Sequence, residues 1–62
     1  MELIYVLLPN NAEWEDITIY IDKQKAIDAS IKYPKKRVEI FSDLGNGYIP
    51  TYRYIKNGTF SK

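Results

Sequence analysis

Residues 17–34, ITIYIDKQKAIDASIKYP, decide the fold because a strand pattern changes there into a helix pattern without a break. The strand part begins at Trp14 and alternates apolar with polar side chains, which predicts a strand with one face in the core. The side chains expected in the core are Ile17, Ile19 and Ile21. Those expected on the other face are Asp16, Thr18 and Tyr20.

A helix is predicted directly after this strand. Asp22 stands where an N-cap is expected, and residues 23–33 have helical spacing. Tyr33 precedes Pro34, which disfavours helical geometry, so the helix is predicted to end there. The inward stripe is mostly small, which lets the helix lie close against a sheet, and consists of Ala26, Ile27, Ser30 and Ile31.

Further strands are predicted on both sides of this unit. Residues 3–8 form a continuous apolar run before Pro9, which indicates a strand with both faces covered. Residues 37–42 alternate again, which predicts a strand with Val38 and Ile40 facing the core.

A hairpin follows. Residues 43–47 hold two glycines and an asparagine, which supply the positive φ values that tight reversals need. Residues 48–56 form the returning strand, in which Pro50 requires an edge or an irregular position. After a turn at Asn57-Gly58, the last residues are expected to fray. This order predicts an α+β fold, a small β-β-α-β-β unit whose antiparallel sheet has one helix packed on one face.

Length and composition limit the possible functions. Residues 1–62 are expected to form a single domain, near the lower size limit for a chain that folds without support. Without cysteine or histidine there is no disulfide and no thiolate or imidazole ligand, so oligomerisation is the support that remains. The net charge of +1 gives no long-range attraction to nucleic acid or anionic lipid. The apolar run before Pro9 is too short for a signal peptide or a membrane span, so an intracellular protein is expected.

The sheet face away from the helix is predicted to carry more large apolar side chains than a monomer exposes. Three interpretations are open: the strand parity differs from the prediction, two sheets pack face to face in a homodimer, or the aromatic rings stack on nucleic-acid bases. The homodimer is favoured because tyrosine is large, stiff and polar at its tip. The predicted interface residues are Leu3, Tyr5, Leu7, Tyr20, Phe41, Tyr52 and Tyr54.

Basic side chains favour the alternative function, a small nucleic-acid-binding protein. They follow the helix and interleave with tyrosines in the last predicted strand, but acidic side chains among them weaken attraction to phosphates. The predicted phosphate contacts are Lys35, Lys36, Arg37 and Arg53.

No set of residues resembles a catalytic site. Nucleophilic triads need a base, and histidine and cysteine are absent. Glu13 and Glu15 share one face of the predicted strand start, which suits a hard cation or an acid–base pair. An acidic strand edge that discourages edge pairing explains them equally well. We therefore expect no enzyme, no metal and no cofactor.

Four stretches of the chain suggest a family when they are taken together. They are residues 13–16 (EWED), 25–30 (KAIDAS), 37–41 (RVEIF) and 47–52 (GYIPTY), followed by Asn57-Gly58. In these stretches the chain resembles small uncharacterised proteins encoded by large DNA viruses of amoebae, of the marseillevirus and mimivirus kind. The resemblance covers most of the chain. It implies a viral protein, in the virion or the host cytoplasm, and carries over no catalytic residue.

Overall fold

The computed structural model describes residues 2–61, which form one five-stranded sheet with a single helix packed on it. A 3₁₀ turn, Trp14–Asp16, precedes the second strand. The predicted α+β class is confirmed. The strands are β1 Leu3–Leu8, β2 Thr18–Tyr20, β3 Arg37–Asp43, β4 Tyr48–Lys56 and β5 Thr59–Ser61, and the helix is α1 Lys23–Lys32.

The strands lie in the order β2-β1-β3-β4-β5, and every neighbouring pair is antiparallel. β1 is therefore flanked by β2 and β3, and α1 carries the chain from one side of β1 to the other. The predicted β-β-α-β-β unit lacks one strand of the observed sheet. The residues expected to fray form β5 instead, which pairs with residues 54–56 of β4.

α1 begins and ends within one residue of the predicted bounds. The Asp22 carboxylate accepts the Lys25 backbone N–H at 3.0 Å, which satisfies one of the amides that the first helical turn leaves without a partner. Tyr33, the residue before Pro34, has left helical geometry at φ −121 and ψ 72. Within the described chain, no helix has the length and apolar character needed to cross a membrane.

The core lies between α1 and the sheet. Ala26, Ala29 and Ser30 are the buried residues of α1, and these small side chains allow close packing on the strands. Val38 and Ile40 of β3 are buried, as predicted. The other members of the core are Tyr5, Leu7 and Ile55, with Tyr20 and Ile27 packed against them.

The parity of β1 and β2 is opposite to the prediction. Ile19 is 58% exposed and Ile21 is 75% exposed, whereas Tyr20 packs against the core. Tyr20 pairs with Tyr5, and Ile19 pairs with Val6, so both strands turn a tyrosine toward α1. The small side chains of α1 leave space that the two rings fill. The predicted core positions of Ile17, Ile19 and Ile21 are therefore wrong.

The turn between β4 and β5 is tied to the helix. The Ser30 hydroxyl donates to the Ile27 carbonyl at 2.7 Å and accepts the Gly58 backbone N–H at 2.9 Å. Gly58 has a φ of +80, and a Cβ at this position would lie 3.1 Å from the Ile31 side chain. Ile31 was predicted to be a core residue but is exposed beside this turn. Glycine fits both the φ and the space.

Pro50 lies in an irregular part of β4 that β5 does not reach, since β5 pairs with residues 54–56. A proline is tolerated where one side of a strand is unpaired. The register with β3 shifts nearby, and Tyr52 has a φ of +64. The Thr51 hydroxyl donates to the Ile40 carbonyl at 2.8 Å in this irregular part. The prediction of an edge or irregular position for Pro50 is confirmed.

Candidate interaction surface

The sheet side away from α1 carries a groove of about 360 Å³. We call this side the open face, because no helix packs on it within the part of the chain that the structure describes. Glu39, Tyr48 and Trp14 lie around the groove, and the rest of its lining is aliphatic or aromatic. The apolar lining residues are Ile4, Val6, Leu8, Ile17, Ile19 and Phe41.

The open face has a buried floor and an exposed apolar rim. Val6 is buried without belonging to the core under α1, so its neighbours on the open face cover it. At the rim, Ile19 is largely exposed and Trp14 is 88% exposed. The exposed residues adjoin the groove, so the open face carries contiguous apolar surface rather than scattered single residues.

One ion pair lies on the open face, beside the groove. The Arg37 guanidinium donates to the Glu39 carboxylate at 2.6 Å and to the Asn10 side-chain oxygen at 2.8 Å. Both members of the ion pair are partly buried. At this end of the groove, the face therefore presents a neutral pair rather than an isolated charge.

A second polar contact closes the opposite end of the groove. The Tyr48 hydroxyl donates to the Glu2 carboxylate at 2.6 Å. This hydrogen bond needs the phenol proton, so it raises the pKa of Tyr48 above its ordinary value. Desolvation and the negative charges of Glu2 and Asp43 act in the same direction. Tyr48 therefore stays neutral to higher pH than a free tyrosine.

Four of the predicted interface residues belong to the helix side of the sheet. Tyr5 and Leu7 are buried beneath α1, and Tyr20 packs against the same core. Leu3 shares the parity of Tyr5 and lies partly exposed at the strand end. Their placement on the uncovered face was wrong. The apolar run of β1 has no polar side chain that would distinguish its two faces, and in β2 the isoleucines were expected to face the core in place of Tyr20.

Phe41 and Tyr54 are the predicted interface residues on the open side. Phe41 lines the groove, and Tyr54 pairs with Glu39 of the open face. Tyr52 is 79% exposed at the irregular part of β4, outside the groove lining. The sequence does contain one signal for the groove: β1 is apolar on both faces, so its second face also needs to be covered. The residues that the sequence prediction missed are Ile4, Val6, Leu8, Ile17, Ile19 and Trp14.

The residues predicted to contact phosphate lie near the end of α1 and on β4. Lys35 is exposed after the helix, and the Lys36 ammonium lies 4.9 Å from the centre of the Tyr33 ring. Arg53 is exposed on β4, whereas Arg37 is bound to Glu39. A phosphate bound to Arg37 would lie close to the Glu39 carboxylate, whose negative charge opposes its binding.

The carboxylates of residues 13–16 stabilise a turn rather than a strand. The Glu13 backbone N–H donates to the Asp16 carboxylate at 3.1 Å, and the Asp16 N–H donates to the Glu13 carbonyl at 3.0 Å. Glu13 and Glu15 therefore do not share a strand face, which corrects the predicted acid pair. Among residues 2–61, no cluster of three or more acidic side chains is placed to hold a metal ion.

Comparison with protein-family models, with curated proteins and with solved structures finds no match to this chain. Its function is therefore inferred from the open face itself.

Proposed function

We propose that the protein is a non-enzymatic interaction module that binds a second copy of itself through the open face. The proposal rests on one observation, the apolar groove on the side of the sheet that α1 does not cover. In the homodimer, the two open faces pack sheet on sheet, as the two layers of a β-sandwich do. Each copy then supplies the cover that the other lacks.

The size of the open face suits a dimer. The chain measures 32 × 23 × 19 Å, and a nine-residue strand such as β4 spans about 30 Å. The sheet therefore lies in the plane of the two longer dimensions. The projected area of the whole molecule in that plane, on the order of 700 Å², is the upper limit for this face and is close to the roughly 800 Å² that each partner buries in a standard interface.

The charge of the chain favours a second copy over a strongly charged partner. Nine basic and eight acidic side chains give a net charge of +1, so two copies repel each other little. On the open face, Arg37 and Glu39 neutralise each other. An apolar groove whose neighbouring ion pair is neutral is compatible with itself across a two-fold axis.

The proposal does not depend on the source of the chain. The viral origin that the resemblance implies stays a prediction. For a viral chain, the dimer is proposed to act as a virion component or as an accessory protein in the host cytoplasm.

Two isoleucines that lie outside the core give a matched experiment. Ile19 belongs to the open-face groove, whereas Ile31 is exposed on α1, on the helix side of the sheet. Sedimentation equilibrium across a concentration series should show a wild-type dimer, a dimer for Ile31→Glu and a monomer for Ile19→Glu. A carboxylate buried in the interface costs about 2 kcal/mol or more. Because symmetry repeats it, the dissociation constant should rise about a thousandfold.

Circular dichroism serves as the folding control, since neither isoleucine contributes to the core under α1. A wild-type protein that is a well-folded monomer at high micromolar concentration would overturn the proposal. Equal dimerisation of the two glutamate variants would also overturn it, because the interface would then lie elsewhere.

A further inference from the structure

Trp14 is the only tryptophan of the chain, and it is almost fully exposed to solvent. The 3₁₀ turn nevertheless fixes its backbone. The Glu13 N–H donates to Asp16, and the Ile17 N–H donates to the Trp14 carbonyl at 3.4 Å. A tryptophan side chain buries about 150–250 Å² when it is covered. A hydrogen-bonded turn thus presents to water the residue type that most often anchors protein interfaces.

Trp14 borders the open-face groove at one end. Leu8 and Ile17 lie at this end, because Leu8 pairs with the first residue of β3 and Ile17 directly precedes β2. Phe41 and Tyr48 lie toward the other end, where β3 turns back into β4. An exposed ring and an open apolar groove therefore belong to the same surface.

We infer that Trp14 of one copy seats in the open-face groove of the other, against Phe41 and Tyr48. The inference rests on the proposed function and names the contact that anchors it. In a dimer whose two-fold axis crosses the strands, the Trp14 end of each face lies over the Tyr48 end of its partner. One symmetric contact then fills both grooves.

The chemistry of the groove fits an indole. Its volume of about 360 Å³ is lined mainly by apolar atoms, and two aromatic rings stand at the far end. A buried indole N–H needs an acceptor. Glu39 lines the groove, and a carboxylate that binds Arg37 through one oxygen has a second oxygen to accept it. The groove therefore offers both the apolar contact and the polar contact that tryptophan requires.

Because Trp14 is the single tryptophan, its fluorescence reports this contact in the unmodified chain. As the concentration rises through the dissociation constant measured by sedimentation, emission should shift to shorter wavelength and quenching by acrylamide should fall. The midpoint of the shift should match that constant. Removing an anchor residue of this type, as in Trp14→Ala, should raise the dissociation constant of the dimer at least about thirtyfold.

Tyr33→Ala is the matched control, since this exposed aromatic residue follows α1 on the other side of the molecule. It should leave dimerisation unchanged, and circular dichroism should show both variants folded. If the wild type dimerises while its emission stays constant and Trp14→Ala dimerises as tightly, the inference is wrong and the proposed dimer stands. A wild type that stays monomeric overturns both.

Discussion

Truncating Ile55 to alanine should come close to unfolding the protein. Ile55 is 0% exposed, pairs with Val38 of β3 and Phe60 of β5, and belongs to the core beneath α1. The substitution removes three buried carbons, worth about 2.4 kcal/mol at roughly 0.8 kcal/mol each. The cavity adds to this, within the range of about 2–5 kcal/mol seen for such changes. The whole stability of a domain of this size is about 3–9 kcal/mol.

Urea unfolding followed by far-ultraviolet circular dichroism measures the loss. With a slope of about 1 kcal/mol per molar urea, a loss of about 3 kcal/mol lowers the midpoint by about 3 M. Ile21→Ala is the control because it makes the same chemical change at a largely exposed position, where the cost should stay within about 0.5 kcal/mol. Two protein concentrations are needed, since dimerisation raises apparent stability.

One result for the two variants would refute the packing that places Ile55 in the core and Ile21 outside it. If Ile21→Ala lowers the midpoint as much as Ile55→Ala does, the isoleucine side of β2 faces the core after all. The open face would then carry the tyrosines, and the parity described here would be reversed.

Three further outcomes are expected. Asp22→Ala should cost about 1 kcal/mol in urea, and Asp22→Asn much less, because asparagine also caps helices; equal losses would contradict the capping role. Since the hydrogen bond to Glu2 raises the pKa of Tyr48, its stabilisation is complete below the unfolded pKa near 10 and is lost as pH rises through the folded value. The tyrosinate absorbance that Tyr48→Phe removes should therefore titrate above about pH 10, and titration below that value would contradict the contact. A labelled oligonucleotide should show no saturable binding at physiological salt. Binding at low salt that disappears in a Lys35→Ala, Lys36→Ala variant would instead favour the nucleic-acid alternative.

The sequence predicts those elements that local signals specify. The cap at Asp22 and the stop before Pro34 bound α1, because both depend on neighbouring residues alone. Residues 43–47 reverse the chain between β3 and β4 through positive φ values at Gly45 and Gly47. Val38 and Ile40 alternate with polar neighbours, so their burial also follows from the local pattern.

The elements that long-range pairing specifies were predicted poorly. β1 is apolar at every position, so nothing within it shows which face meets the helix. The alternation in β2 favoured the isoleucines as core residues, but the small stripe of α1 accepts Tyr5 and Tyr20 instead. β5 forms because the turn at Gly58 is fixed by Ser30, a contact between residues 28 positions apart. Such contacts have no signal in the local sequence.

Reversing the parity of β1 exchanges the residues on its two faces but leaves both faces apolar, so the case for self-association does not depend on the parity. The residues that test it do depend on the parity. A charge at Tyr5 or Leu7 now falls beneath α1 and should unfold the monomer, whereas a charge at Ile19 falls on the open face and should separate two folded copies. Loss of the dimer with the fold intact is therefore the result that assigns the open face to binding rather than to folding.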